Sequence, residues 1–450
     1  MNATAAWRLN ATDEMLHAAS ETLGSSRIVQ VLWRFPAPVS RAALEREWRR
    51  LNRGRLSRQA APAAVPCARR KWVAAHNGEP LHTDQRPLTG AEVPDWIDSQ
   101  VRAPLPVGSA SMWRLAAAPY RDGHLVSLTV PHFRCDGLGL FHAIASREPG
   151  DRPPEGWPAA LAASDLGEAL GQVARALAGS AGWAAGLLTD SRHRARLRTA
   201  LRGAGPPAAS GSAPRFFTSA IADLDAGAWE QRARAHGGTV NSLFVEMAAN
   251  LVRRHVRNGR PAAIDVGIPT SLRRGDGDGR ANALVVVPLT VPGGAVRHGD
   301  LRRTRQETKD LLRRTGEHSG TLVPEPLWHL LPARWAGALK APGAQQTDVV
   351  ASNFGTAPDG VVRFARGTAD SVALRTMNVP GVIPEKARLR ASLCLLRTGD
   401  RMTVTATGMP DHFGDSASLY RHLDEEFAAW GLTARPWWDI TPDTMEGIER

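Results

Sequence analysis

Strand-like and helix-like patterns interleave on both sides of one stretch rich in Gly, Pro, Ala and Ser, GAGPPAASGSAP, Gly203 to Pro214. That composition makes a flexible connector, and interleaved elements pack as layers of helix on sheet. The chain is therefore expected to form two α/β lobes, residues 1–205 and 215–450, joined by a linker at 206–214. With 450 residues in all, each lobe is long enough to bury its own core.

In the first half a helix is expected over Ser40 to Asn52, capped by Ser40, with Leu44 and Trp48 on one face. A Pro-rich arm follows from Ala60 to Pro106. The run His124 to Val130 then alternates, Val126, Leu128 and Val130 on one side and Leu125, Ser127 and Thr129 on the other, as in a strand. Beyond the Pro/Gly-rich stretch Glu148 to Pro158, an Ala-rich helical region extends to about Arg202. Alanine buries little area, so this region is expected to pack between lobes in preference to lying on a membrane. In the second half, strands are expected near Phe216–Leu224, Ala263–Pro269, Leu284–Val291, Val349–Asn353, Leu393–Leu396 and Met402–Thr407. A core helix is read from Thr239 to about Arg257, with further helices near Leu301–Arg314, its arginines on a solvated face, and Ser416–Trp430.

The strongest chemical signal is His132-Phe133-Arg134-Cys135-Asp136-Gly137, set between that alternating strand and a helix carrying Leu140, His142 and Ile144. A neutral imidazole accepts a proton near pH 7, Asp136 can fix the loop, and Gly137 permits a tight turn. The competing reading is a plain surface loop in which Asp136 only caps the next helix. Cys135 is read as a small buried hydrophobe, since residues this close around a turn rarely aim both heads at one substrate. Asp411-His412-Phe413-Gly414-Asp415 imitates the pattern but is placed to end a strand and start a helix. The run GDGDG, Gly275 to Gly279, lacks the terminal Glu of a calcium loop and reads as surface.

Cys67, Cys135 and Cys394 are odd in number and far apart, offering neither a disulfide framework nor metal spacing. No metal and no tightly bound cofactor is expected. The formal charge of +12 comes almost wholly from arginine: only Lys71, Lys309, Lys340 and Lys386 are lysines. Without interleaved aromatic platforms this basicity does not read as nucleic-acid binding, but it leaves room for a phosphorylated cofactor or an acidic carrier protein. No apolar run approaches the roughly 18 residues of a membrane span, and no targeting segment is readable at the start. A cytoplasmic location is expected.

The stretch Thr129-Val130-Pro131-His132-Phe133-Arg134-Cys135-Asp136-Gly137 resembles the HHxxxDG motif of the condensation-domain superfamily, which shares the chloramphenicol acetyltransferase fold and includes wax ester synthase-like acyltransferases. Four further segments resemble, in order, the TVND, PxSLR, GN and SN-x-G segments of the wax ester synthase branch. They are Thr239-Val240-Asn241, Pro269-Thr270-Ser271-Leu272-Arg273, Asn282 ahead of a strand, and Ser352-Asn353-Phe354-Gly355.

The resemblance implies two chloramphenicol acetyltransferase-like lobes in a pseudo-dimeric V with a tunnel at their interface. It implies an acyltransferase of secondary or lipid metabolism, moving an acyl group from an acyl-CoA or a carrier-protein phosphopantetheine thioester to an alcohol. His132 would be the general base, no acyl-enzyme would form, Asp136 would be structural and paired with an arginine, and Gly137 would leave room beside the base. Asn353 and Ser352 are the candidate oxyanion donors, against the alternative that Asn353 and Gly355 only shape a turn; Asn282 is a weaker candidate. The arginine partner is expected in LNRGRLSR, as Arg55 or Arg58. An amide-forming condensation enzyme using an amine acceptor, or an inactive binding protein of the same fold, are the rivals. Pro131, standing where the family has its first His, favours the last.

Overall fold

The computed structural model describes residues 7–23, 26–105, 111–146, 159–191, 194–195, 197–198, 212–275, 278–313, 320–340, 343 and 346–439. Most of the expected linker, and the GDGDG positions 276–277, lie outside them. In chain order the strands are β1 (Ser26–Phe35), β2 (Arg58–Ala61), β3 (Lys71–Ala74), β4 (His82–Thr83), β5 (Arg114–Tyr120), β6 (Gly123–Pro131), β7 (Thr218–Asp225) and β8 (Ile264–Ser271). They continue as β9 (Leu284–Val291), β10 (Val349–Thr356), β11 (Arg363–Phe364), β12 (Gly367–Thr368), β13 (Ser371–Val379), β14 (Ala391–Thr398), β15 (Arg401–Gly408) and β16 (Ala434–Pro436).

Two sheets organise the molecule. The first runs β13-β1-β6-β5-β4 and the second β16-β7-β15-β14-β10-β8-β9. A division at 206–214 separates them except for β13, which comes from the second half yet pairs antiparallel with β1 along its length, from Ser26 opposite Val379 to Arg34 opposite Ser371. The Pro-rich arm is not featureless: it holds the β2–β3 ribbon and the helix Val93–Arg102. Its helix starts with a proline in the first turn, where the missing N–H costs nothing.

The sheets are tied by buried polar contacts centred on Asp223 of β7. Its carboxylate accepts from Ser371 (2.7 Å), Thr403 (2.8 Å), Arg34 (2.8 Å) and the Trp437 indole (3.0 Å), so one carboxylate stitches β13, β15 and β1 to β7. Four donors offset the desolvation of that charge.

Helices cover the sheets by sequence logic. The helix Arg41–Leu51 begins where Ser40 accepts from the Ala43 N–H, and it buries Ala43, Leu44 and Leu51 against the first sheet's core. Thr239 caps Val240–Leu251, whose Leu243, Phe244, Met247 and Leu251 enter the second core beside Trp229 and Trp430. Each such side chain contributes about 1.5–3 kcal/mol by burial. This helix ends as α at Leu251 and continues as one π turn, Val252–Val256, short of the expected Arg257. The expected Ala-rich helix is present over Ala159–Thr189, but it does not serve as a packed layer on all sides. Ala169, Gln172 and Ala176 face inward, while Leu166, Leu170 and Leu177 are exposed. No described helix is long and apolar enough to cross a membrane. Asp411–Phe413 lies in a short turn of helix after β15, and Asp415 caps Ser416–Ala429, as the sequence implied.

Candidate active site

Strand β6 delivers the site. It ends at Pro131, opposite Ile28 of β1, where a residue without an N–H is tolerated because the ladder stops there. A single 3₁₀ turn, His132–Arg134, follows, and Asp136 then caps the helix Gly137–Ala145 by accepting from the Gly139 N–H at 2.6 Å. The capping reading of Asp136 is thus correct, and it is only part of its work. The same carboxylate accepts from Arg273 Nη2 at 2.7 Å and from the Ala283 N–H at 2.8 Å. Arg273 is in turn held by the carbonyls of Asp278, Arg280 and Ala281.

The arginine partner is therefore Arg273, not Arg55 or Arg58. The reason is position: the β8 end carries Arg273 directly to the helix cap, whereas Arg58 donates to the carbonyls of Gly279 and Arg134 and Arg55 donates to that of Asp278. Asn282 has a different task from the oxyanion role considered for it. Its amide nitrogen donates to the carbonyls of His132 (3.0 Å) and Phe133 (3.1 Å) and to Asp13 (2.8 Å), clamping the backbone of the loop from behind. Asp13 is buried, and burial pushes its carboxyl up to about 7.

Gly137 does not leave free space. A methyl group there would stand 2.4 Å from Cε1 of Phe354 and 3.2 Å from Cδ1 of Leu374, so glycine is needed for the Phe354 ring to lie against the helix start. Cys135 is buried, and burial raises its thiol to about 12, which fits a packing residue and not a nucleophile.

Opposite the loop, β10 carries Ser352, Asn353, Phe354 and Gly355. Its pairing with β14 shifts register between Asn353 and Thr356, a bulge of the kind that re-aims side chains, and Gly355 takes a φ of +69° there. Asn353 accepts from the Gly355 N–H at 2.9 Å, so the turn-shaping role is real. It also donates from its amide to Asn241 at 3.2 Å, on the first turn of the Thr239-capped helix.

His132, Asp136, Gly137, Ser352 and Asn353 all line one cavity of about 160 Å³. Its walls also include Arg27 of β1, Thr376 and Asn378 of β13, Pro269 and Ser271 of β8, and Ser392 of β14, so both sheets contribute. His132 is only 7 % exposed. Its pKa is lowered to about 4, first by burial and then by the nearby Arg27 charge, against the opposing pull of Asp136. The imidazole is thus neutral at pH 7. Among the described residues no group of His, Cys, Asp and Glu is arranged to hold a metal ion.

Solved structures share this architecture. The first condensation domain of the CDA synthetase aligns with 94% of this chain and 96% of its own, at 17% identity and a TM-score of 0.56. The wax ester synthase/diacylglycerol acyltransferase from Marinobacter aquaeolei VT8 gives 94% and 98% coverage, 13% identity and a TM-score of 0.53. The starter condensation domain of rhizomide synthetase, a mutant solved with C8-CoA and Leu-SNAC, gives 96% and 95%, 13% and 0.52. No family model and no curated protein matches the chain. The fold is the mixed α/β fold of condensation domains and wax ester synthases, of chloramphenicol acetyltransferase type.

Arg27, Arg273 and Asn378 were not singled out as site residues. Arg273 stands inside the quoted Pro269–Arg273 segment, so its signal was present. Arg27 and Asn378 give none, because only strand register brings them to the cavity.

Proposed function

We propose that this protein is an acyltransferase that moves an acyl group from a CoA or carrier-protein thioester to an acceptor hydroxyl, with His132 as general base and no acyl-enzyme. The observation that carries the reading is a buried, neutral imidazole on the wall of a cavity bounded by both sheets. The chain's similarity to acyl-transferring and condensing folds along nearly its whole length supports it. The two sheets stand for the two lobes of a V, and the cavity for the tunnel in which donor and acceptor meet.

In this reading the acceptor O–H proton passes to the His132 ring as its oxygen attacks the thioester carbon. A base so placed contributes roughly 10²- to 10⁴-fold. The tetrahedral oxyanion is met by Ser352 and by the Asn353 amide, one N–H of which remains beyond the bond to Asn241. Collapse expels the thiolate, which takes the proton from the imidazolium, leaving ester and thiol. Asp136 acts as a positioning residue through Arg273 and the helix cap, and Pro131 ends the ladder without touching this chemistry. An amine acceptor would follow the same steps to an amide, a reading the condensation domains among the similar structures keep in play.

The test is turnover of an acyl-CoA or acylated carrier protein by wild type and His132→Ala, with donor binding followed by calorimetry. Loss of turnover with donor binding and fold retained is expected. Full activity in the variant would sink the mechanism, and wild type that binds no thioester donor of either kind would favour an inactive binding protein.

A further inference from the structure

Two neighbouring strands and the turn that follows a third bring three polar side chains to one cavity at the end of the first sheet. Arg27 of β1 lies opposite Asn378 of β13, and on the other side of β1 the β6 ladder stops at Pro131, opposite Ile28, with His132 following in the 3₁₀ turn. Directly opposed residues in a sheet present side chains to the same face, roughly 4.5–5.5 Å apart at Cβ. All three line the cavity.

Among the described residues Arg27 is a cation without a counter-ion. Its Nε donates to Asn378 Oδ1 at 3.3 Å, and among the described residues no carboxylate lies within ion-pair distance of its guanidinium. Among the described residues the cavity wall contains one carboxylate, Asp136, and Arg273 already neutralises it. Arg27 is partly buried, and desolvation lowers its pKa. A desolvated charge costs free energy unless something compensates it, and no described carboxylate does so. The guanidinium fork is suited to hold a carboxylate through two parallel N–H bonds.

We propose that Arg27 is the specificity determinant for an acidic acceptor: a hydroxy acid or amino acid whose free carboxylate pairs with Arg27 while its nucleophile a few bonds away meets His132. The proposal rests on the acyl-transfer reading of this cavity and narrows its substrate class. It also resolves a tension in that reading, because the imidazolium formed during attack would otherwise sit beside an unneutralised arginine. The Arg27 charge opposes protonation of His132, and a bound carboxylate would cancel that opposition as the reaction needs it.

Binding separates this idea from the chemistry. Calorimetric titration would use 3-hydroxybutyrate against 3-hydroxybutyramide, and 4-hydroxybenzoate against 4-hydroxybenzamide, on wild type, Arg27→Gln, Arg27→Lys and His132→Ala, each verified as folded by circular dichroism. For at least one pair the acid should bind wild type at least tenfold more tightly than the amide. That preference should vanish in Arg27→Gln, survive in part in Arg27→Lys and persist in His132→Ala. Equal binding of acid and amide in both pairs, no binding of any probe, or a preference that persists in Arg27→Gln overturns the proposal. Failure of the general-base reading shows separately, as turnover surviving in His132→Ala whatever the acid preference.

Discussion

Breaking the pair between Asp136 and Arg273 should reveal how the His132 loop is held. Asp136→Ala removes the partner of a buried cation, the cap acceptor for Gly139 and the acceptor for Ala283. Leaving one partner of a buried pair costs about 3–5 kcal/mol and losing a helix cap about 1 kcal/mol, so the single change should cost about 4–6 kcal/mol. Arg273→Leu strands the Asp136 charge with two backbone donors and frees three carbonyls, for about 3–5 kcal/mol. The double variant contains no stranded charge. It should be less destabilised than the sum of the singles, by a coupling of about 3 kcal/mol at the upper end for residues in contact. Urea unfolding followed by tryptophan fluorescence on the four proteins measures this coupling, with an Asp136→Ala and Arg58→Leu cycle alongside. A coupling below about 0.5 kcal/mol for Arg273, or an equal one for Arg58, would refute the assignment.

Burial holds His132 at about 4 against 6.5 for a free side chain. The unfolded chain therefore binds the extra proton between those values, and stability is complete above pH 6.5 and falls as pH drops toward 4, by about 3 kcal/mol. Urea midpoints from pH 7.5 to 4.5 should show His132→Gln lacking that share of the slope while Arg27 and Asp136 remain; identical slopes would contradict it. Gly137→Ala forces the Phe354 ring to move, and overpacking of this kind costs about 1–3 kcal/mol; an unchanged melting temperature and turnover would show that the ring adapts freely. Phe244→Ala, in the core of the second sheet, should cost about 3–5 kcal/mol in the same denaturation assay. A thiol reagent should label Cys67 alone in the native protein and all three cysteines in urea, since Cys135 and Cys394 are buried; rapid native labelling of Cys135 would contradict its packing role.

Local patterns were legible where a chemical signal and a period coincided. Ser40 and Thr239 announce helices that begin where they cap them, and the alternation of His124–Val130 marks β6 to within a residue at each end. Strand β13 was not legible: SVALRTMNV carries Arg375 and Asn378 at buried positions, because it is covered on both sides and its arginine is satisfied by Gln30, Asp98 and Ser219. The helix Val93–Arg102 hid inside a segment whose prolines suggested an irregular arm. At the site, the five quoted segments were found, but not who touches whom. The choice of Arg55 or Arg58 failed because proximity in sequence to the first helix says nothing about which loop a sheet end delivers. Arg27 was invisible for the opposite reason: one arginine among 52 has no local context to distinguish it.

The exchange of β13 has a consequence for how the protein is made. About 335 residues separate the end of β1 from the start of β13. At roughly 5–20 residues per second of synthesis, the emerging first sheet waits on the order of tens of seconds with one flank of β1 unpaired. That flank is the edge along which another chain could add, so a nascent polypeptide of this design is most exposed to mispairing with its neighbours on the same message. The first half is not a finished unit at the time it leaves the ribosome, and the cavity wall containing Arg27 and His132 is completed only when the late strand arrives.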